Sequence, residues 1–285
     1  MRRWRATGWV VASAAAFLAA ANVASCGLDA VGGAPSPEAA PEDTFRPEAN
    51  LPDSFVPVDG DTDGGPDAGP ACPTGRGPAM VRVALPDAAP FCIDSTEVTN
   101  AQYDEFFYGG TDGGRVAEGG VGAGTSCSTV LAFTRRADAA APNLPVENVS
   151  WCDAFAYCRW AGRRLCQPLA DGGVETEWTL ACSNGGERTY PYGDAYAPVC
   201  NDSFREAGPV TVGSQPGCEG GVPGLFDMSG NVGEYVGHCA NPALCDYVGG
   251  YYSSTSIEVS CTSRAQQQPG AATPGLGFRC CATPN

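Results

Sequence analysis

The chain has 285 residues, with 16 arginines and no lysine set against 32 acids and one histidine, for a formal net charge of −16. That acidity disfavours nucleic acid and anionic membrane surfaces as partners, and His238 alone cannot build a multi-histidine iron or zinc centre. Fifteen cysteines with no C-x-x-C spacing argue against a zinc ribbon and for an oxidising compartment.

At the N-terminus Arg2, Arg3 and Arg5 precede an almost wholly apolar run, Trp9 to Ala21, and then Val23-Ala24-Ser25-Cys26. A basic start, a short apolar core and small residues before a cut define a secretory signal over residues 1–25. The run is too short to read as a membrane span. The tetrad resembles the lipobox of bacterial lipoproteins, which implies that Cys26 is diacylated and becomes the mature N-terminus. Ordinary cleavage beside Ser25 is the alternative; the even number of cysteines left without Cys26 favours lipidation. The protein is therefore expected to be exported and lipid-anchored to the cell envelope, with the anchor as its only membrane contact. Gly27 stands where an aspartate is associated with inner-membrane retention, which favours the outer membrane. Loss of residues 1–25 leaves 13 arginines against 32 acids, a net charge of −19.

Residues 27–75 hold ten acids and one arginine, Arg46, amid proline, alanine and glycine. Such a stretch cannot bury enough apolar surface to offset chain entropy. Residues 26–78 are expected to be the anchor cysteine and a disordered spacer reaching ~35–40 Å. Asp59-Gly60-Asp61-Thr62-Asp63-Gly64 matches the first half of an EF-hand loop, but Pro70 stands where the closing acid belongs and no helices flank it. It reads as linker.

Regular apolar content begins near Met80 and suffices for one domain over residues 79–283. Val81–Leu85 and Phe91–Ile93 read as short strands. Thr99-Asn100-Ala101-Gln102 is a capping box for a helix over about 100–107, closed by Gly109-Gly110. Ser150 and Asp153 open a second helix through Trp160, stopped by Gly162, and a third, shorter helix surrounds Glu177-Trp178-Thr179-Leu180. After residue 183 glycine and proline dominate, and long loops are expected. His238 reads as a lone surface histidine.

Several segments then fall in a recognisable order. Cys92-Ile93-Asp94-Ser95-Thr96-Glu97-Val98-Thr99-Asn100 comes first, followed by Pro145 to Trp151 and Ala156 to Leu165. Glu177-Trp178, Tyr190-Pro191-Tyr192-Gly193-Asp194 and Gly224 to Tyr235 follow, and Gly249-Gly250-Tyr251-Tyr252 and Gly277-Phe278-Arg279-Cys280 close the series. The ordered set resembles the formylglycine-generating enzyme, or sulfatase-modifying factor, family over about residues 80–281. The resemblance implies an α+β, loop-rich fold, a variant of the C-type-lectin-like architecture, stapled here by disulfides.

The family's oxidases carry two cysteines five positions apart, shortly after the glycine pair, which bind copper and convert a sulfatase cysteine to formylglycine. Counted from Gly249 the first position is Ser254 and the second lies near Val259. A hydroxyl cannot replace a thiolate as a copper(I) ligand, so no copper is expected and oxidase activity is disfavoured. Gly233 stands where the family commonly has tryptophan, and an insertion over roughly Gln167 to Gly173 lengthens the turn before Glu177.

Fourteen cysteines remain after Cys26. Cys152 and Cys158, six residues apart on one helix, lie ~9 Å apart along its axis and cannot pair with each other. Cys280 and Cys281, adjacent in an extended strand, face opposite sides and seek different partners. The resemblance implies Cys158–Cys280 and Cys182–Cys261. Cys239–Cys245 reads as a local bridge and Cys200–Cys218 as a loop bridge. Partners for Cys72, Cys92, Cys127, Cys152, Cys166 and Cys281 stay open.

The resemblance also implies a structural calcium ion in Asp227 to Glu234, held by the Asp227 carboxylate, the Gly230 and Val232 carbonyls and the Glu234 carboxylate. Calcium takes six to eight hard oxygen ligands of these kinds. The competing reading is a tight glycine turn whose acids cap nearby amides. A second family calcium site would begin at Asn201, but its downstream aspartate-glycine-aromatic portion is missing. Three functions are then open. The favoured one is a non-catalytic module that binds an unidentified protein or carbohydrate ligand, with Tyr251, Tyr252 or Trp178 as contacts if exposed; such residues are more often core in a domain of this kind. The second is a formylglycine-generating oxidase acting on a sulfatase cysteine. The third, an unrelated enzyme reusing the cleft, has no nucleophile and base to support it.

Overall fold

In the computed structural model, residues 69–86, 88–109, 127, 141–170, 173 and 175–285 are described. The signal segment 1–25, Cys26, the acidic motif at 59–64 and most of the spacer lie outside the described residues.

Helix starts follow from local side-chain chemistry. The Thr99 hydroxyl accepts from Gln102 N and the Gln102 side chain accepts from Thr99 N, which opens helix α1, Asn100–Gly109. Ser150 and Asp153 do the same for α2, Trp151–Trp160, and Thr176 and Thr179 for α3, Glu177–Ser183. Asn184, in the left-handed region at φ 52°, ends α3.

The strands form two four-stranded sheets. The first has the order β1-β2-β8-β3, from Met80–Val83, Phe91–Asp94, Cys280–Ala282 and Arg164–Leu165, all antiparallel. The second has the order β6-β5-β4-β7, from Arg264–Gln267, Leu244–Val248, Gly233–Asn241 and Leu276–Gly277, with β4 and β7 parallel. Long loops do run from residue 184 to 232, but the second sheet is where only loops were expected. Its strands lack alternation: β4 is buried from Gly233 to Val236 and then emerges, so no period-2 signal marks it. No helix among the described residues is long and apolar enough to cross a membrane.

Two apolar clusters form the core. One gathers Tyr103 and Phe106 of α1 with Tyr157 of α2 and Phe278; Tyr157 meets Phe278 edge-on at 5.2 Å between ring centroids. Burial of each such aromatic ring contributes roughly 1.5–3 kcal/mol. The other gathers Ile93, Trp178, Leu225, Met228 and Val236. Strand β8 divides them, with Cys280 in the first cluster and Cys281 in the second. This is the pleat acting on adjacent residues.

Seven disulfides staple the domain. Cys158–Cys280, Cys182–Cys261, Cys200–Cys218 and Cys239–Cys245 are bonded as named from the sequence. The six cysteines left open pair as Cys72–Cys92, Cys127–Cys152 and Cys166–Cys281. Cys158–Cys280 and Cys166–Cys281 tie the α2–β3 region to the C-terminal strand across separations of 122 and 115 residues. Every described cysteine is thereby bonded.

Candidate functional site

The turn Asp227–Val232 enters β4 through three residues of left-handed backbone, Asp227 (φ 59°), Gly230 (φ 74°) and Asn231 (φ 57°). At Gly230 a side chain would strike the Asn201 carbonyl, since an added Cβ would lie 2.1 Å from it. Gly230 N donates to Gly249 O at 2.8 Å and Asn231 N to Asn201 O at 2.7 Å. The Asn231 side chain accepts from Val210 N at 2.9 Å and donates to Glu97 Oε1 at 3.0 Å. The turn is thus pinned to three loops and to the segment that follows β2.

Asp227, Gly230, Val232 and Glu234 are brought together here, all buried. Asp227 Oδ2 accepts from Gly213 N at 2.6 Å, while its Oδ1 has no hydrogen-bond partner. Glu234 differs. Arg279 donates to both its oxygens, Nε to Oε2 at 2.7 Å and Nη2 to Oε1 at 2.8 Å, and Trp178 Nε1 adds a bond to Oε2 at 2.7 Å. The Asp227 position fits a hard cation, having a buried oxygen to spare. Glu234 does not fit the free-ligand role that the resemblance gives it, because its oxygens already answer three N–H donors.

Two residues of this cluster carried no assigned role in the sequence. Glu97 is fully buried, and its Oε2 has no hydrogen-bond partner. Burial, then the neighbouring Asp227 charge, pushes the Glu97 carboxyl well above the usual range. Burial pushes Asp227 up to about 6, against the pull of the Gly213 amide and of Arg279. Arg279 also donates to the carbonyls of Asp94 at 3.0 Å and Phe226 at 2.9 Å, so its fork knits β2, the turn and β4. For Arg279 the sequence signal was a single charge inside an otherwise apolar stretch; Glu97 stands in a polar stretch, Asp94 to Asn100, that does not single it out.

The positions that hold the oxidases' thiol pair are structural here. Ser254 is 4% exposed; its Oγ accepts from Tyr251 N at 3.1 Å and its carbonyl from Ser203 N at 3.1 Å. Val259 is fully buried, and its carbonyl accepts the Ser229 hydroxyl at 2.6 Å. Gly249 lies against the Trp178 ring, and an added Cβ would sit 2.9 Å from it. At Gly233, where tryptophan is common in the family, Leu276 and Tyr247 occupy the space a side chain would take.

One expectation is corrected. His238 is no surface histidine: its side chain is 13% exposed and its Nδ1 lies 2.7 Å from Asp246 Oδ2, an acid that Gln266 also bonds. The partner stands across the β4–β5 pair, where helical or local spacing gives no hint of it. Trp178 is buried and offers no surface contact, and Tyr251 and Tyr252 are half-buried. Asn201 holds the turn with its carbonyl and amide; its own Oδ1 has no hydrogen-bond partner. A further group, Cys166, Glu177 and Cys281, has metal-ligand spacing, but both sulfurs form one disulfide and Arg164 pairs with Glu177.

The family model of the sulfatase-modifying factor enzyme 1-like domain matches residues 77–284. The chain is 30% identical over 271 residues to the formylglycine-generating enzyme of Bos taurus, covering 73% of this chain and 68% of that one. It is 31% identical over 156 residues to the inactive C-alpha-formylglycine-generating enzyme 2 of Mus musculus, covering 48% of each. A serine/threonine-protein kinase, pkn1 of Chlamydia pneumoniae, is 31% identical over 156 residues, 48% of this chain and 23% of the kinase. The ordered motifs, the disulfide-stapled fold and the extent of these matches place residues 77–284, and with them this chain, in the sulfatase-modifying factor family.

Proposed function

We propose that this protein is a surface-displayed lipoprotein whose sulfatase-modifying-factor domain is non-catalytic and acts as a ligand- or partner-binding module. One observation carries the reading. Ser254 and Val259, at the positions of the oxidases' thiol pair, are buried and hydrogen-bonded into the fold, and every described cysteine is held in a disulfide. Copper(I) chemistry needs soft thiolates, and a disulfide sulfur is not one. The likeness to a relative named inactive supports the same reading. The lipobox and the acidic spacer support display at a distance from the membrane. Lipid-anchored attachment to the outer membrane remains part of this proposal.

A binding role is supported by an aromatic row on the loops. Tyr192 stacks on Tyr190 at 5.4 Å, Tyr190 meets Tyr196 at 6.0 Å, and Tyr196 meets Phe204 at 6.0 Å. Phe204 is exposed, and the Tyr190 hydroxyl bonds the Ser256 carbonyl beside the exposed Ile257. Such loop-borne aromatics suit a protein or carbohydrate ligand. The competing reading, an oxidase of sulfatase cysteines, rests on the likeness to the bovine enzyme. Thiol titration of the denatured, unreduced protein separates the two: no reactive thiol is expected, because acylation turns the Cys26 sulfur into a thioether, and two would support the oxidase. Metabolic labelling with a radioactive fatty acid, lost in Cys26→Ser, tests the anchor.

A further inference from the structure

We propose that Cys239–Cys245 is a thiol-exchange site: a dithiol partner reduces this bond in the folded protein, and the state of the bond sets whether His238 stays against Asp246.

Access singles the bond out. Cys158–Cys280, Cys166–Cys281, Cys182–Cys261 and Cys200–Cys218 have both cysteines buried, so a thiol reaches them only when the fold opens. Cys239 is half-buried, and the residues that follow it, Ala240 to Ala243, are exposed at the end of the β4–β5 hairpin. Cys245 is buried in the first apolar cluster, which directs attack to the Cys239 sulfur. Cys72 and Cys127 are half-buried too, but their bonds join separate parts of the chain, at sequence separations of 20 and 25. Cys239 and Cys245 stand at a separation of 6, directly opposite each other on β4 and β5. Reducing them frees no link between distant elements, and the remaining disulfides keep the fold.

A dithiol alone balances the step. One partner thiol, as its thiolate, attacks Cys239 Sγ. The Cys239–Cys245 bond breaks as a mixed disulfide forms, and Cys245 leaves as a thiolate and takes up a proton. The partner's second thiol gives up its proton, attacks the partner sulfur of the mixed disulfide and releases Cys239 as a thiolate, which is protonated in turn. The partner ends as a disulfide and the hairpin as two thiols. A neutral Cys245 thiol suits its apolar surroundings.

The bond also has something to hold. The pairing of β4 with β5 shifts register on both sides of Cys239, between Tyr235 and Cys239 and again between Cys239 and Asn241. A bulged ladder is interrupted at such points, so the covalent link fixes the local register. His238 precedes Cys239 and Asp246 follows Cys245, and this register brings His238 Nδ1 to 2.7 Å from Asp246 Oδ2. Asp246 is buried, and from β6 Gln266 donates to it at 2.9 Å and Arg264 pairs with it at 3.4 Å. With the link broken those two still answer the carboxylate, so His238 leaves without stranding a buried charge.

The test treats the detergent-solubilised, folded full chain with limiting dithiothreitol, blocks the thiols with N-ethylmaleimide and locates the label by peptide mass spectrometry. Cys239 and Cys245 should be labelled at least about tenfold faster than every other pair, with thermal unfolding still cooperative. His238 is the chain's only histidine, so its imidazole signal in 15N-labelled protein reports the coupling without ambiguity. The signal should shift on reduction, and Cys239→Ser/Cys245→Ser should show the shifted signal without reductant. Cys245→Ser covers the case in which the double variant does not fold; its free Cys239 should form a mixed disulfide with glutathione disulfide. Labelling first at Cys72–Cys92 or Cys127–Cys152, or at all pairs together on unfolding, would overturn the site. A His238 signal indifferent to reduction of the pair would overturn the coupling.

Discussion

Arg279 grips Glu234 from two sides, Nε to Oε2 at 2.7 Å and Nη2 to Oε1 at 2.8 Å, with both side chains buried. The pair joins the loop before β8 to strand β4, so it links the two sheets at the centre of the domain. Removing one member leaves the other charged and without its partner in the interior, which costs about 3–5 kcal/mol. Arg279→Ala should lower unfolding free energy by that order in urea denaturation. Arg279→Lys should recover only part of it, because an ammonium cannot match the fork.

The staples should be unequal. In the chain-entropy picture, breaking Cys158–Cys280, with a sequence separation of 122, costs roughly 5 kcal/mol, while breaking Cys239–Cys245, with a separation of 6, costs roughly 2. The double serine variants Cys158→Ser/Cys280→Ser and Cys239→Ser/Cys245→Ser, compared by denaturant titration under non-reducing conditions, should show that order.

Gly230 should tolerate no side chain. Its backbone is left-handed, and a methyl group would run into the Asn201 carbonyl. Gly230→Ala is expected to cost at least about 2 kcal/mol, read from the shift in denaturation midpoint. Gly162, left-handed but with open space around it, should cost less as Gly162→Ala.

Asp94 sets a pH dependence. Burial pushes it up to about 7, while Arg163, the Cys280 amide and Arg279 pull it down. A carboxyl whose folded value lies above its unfolded one favours the folded state most at low pH. That contribution is present below about pH 4 and is lost as the pH rises toward 7. Asp94→Asn should flatten the fall in stability across that window, measured as melting temperature against pH.

The first two helices were legible because each announces itself locally, Thr99 with Gln102 for one, and Ser150 with Asp153 and an apolar face at helical spacing for the other; the third was placed around Glu177 to Leu180 without its Thr176–Thr179 cap. The β4–β7 sheet was not, since β4 is half buried run and half emergent chain, and β5 carries the buried Asp246 in its middle. The turn from Asp227 to Glu234 could be read because its residues are contiguous. Glu97 reaches that turn through an Asn231 contact separated by 134 residues, and Arg279 reaches Glu234 across 45. No local pattern encodes such convergence. His238 was misjudged for the same reason, its partner Asp246 lying on the neighbouring strand.

The reading that this domain is a binding module and no oxidase is tested most directly by incubating the purified full chain with copper(I), oxygen and a sulfatase-type peptide carrying one cysteine, then weighing the peptide by mass spectrometry. The account predicts that the cysteine peptide is recovered unchanged, while a genuine formylglycine-generating enzyme converts it in parallel. Conversion of the thiol to an aldehyde by this protein, lost on removal of its copper, would contradict the account.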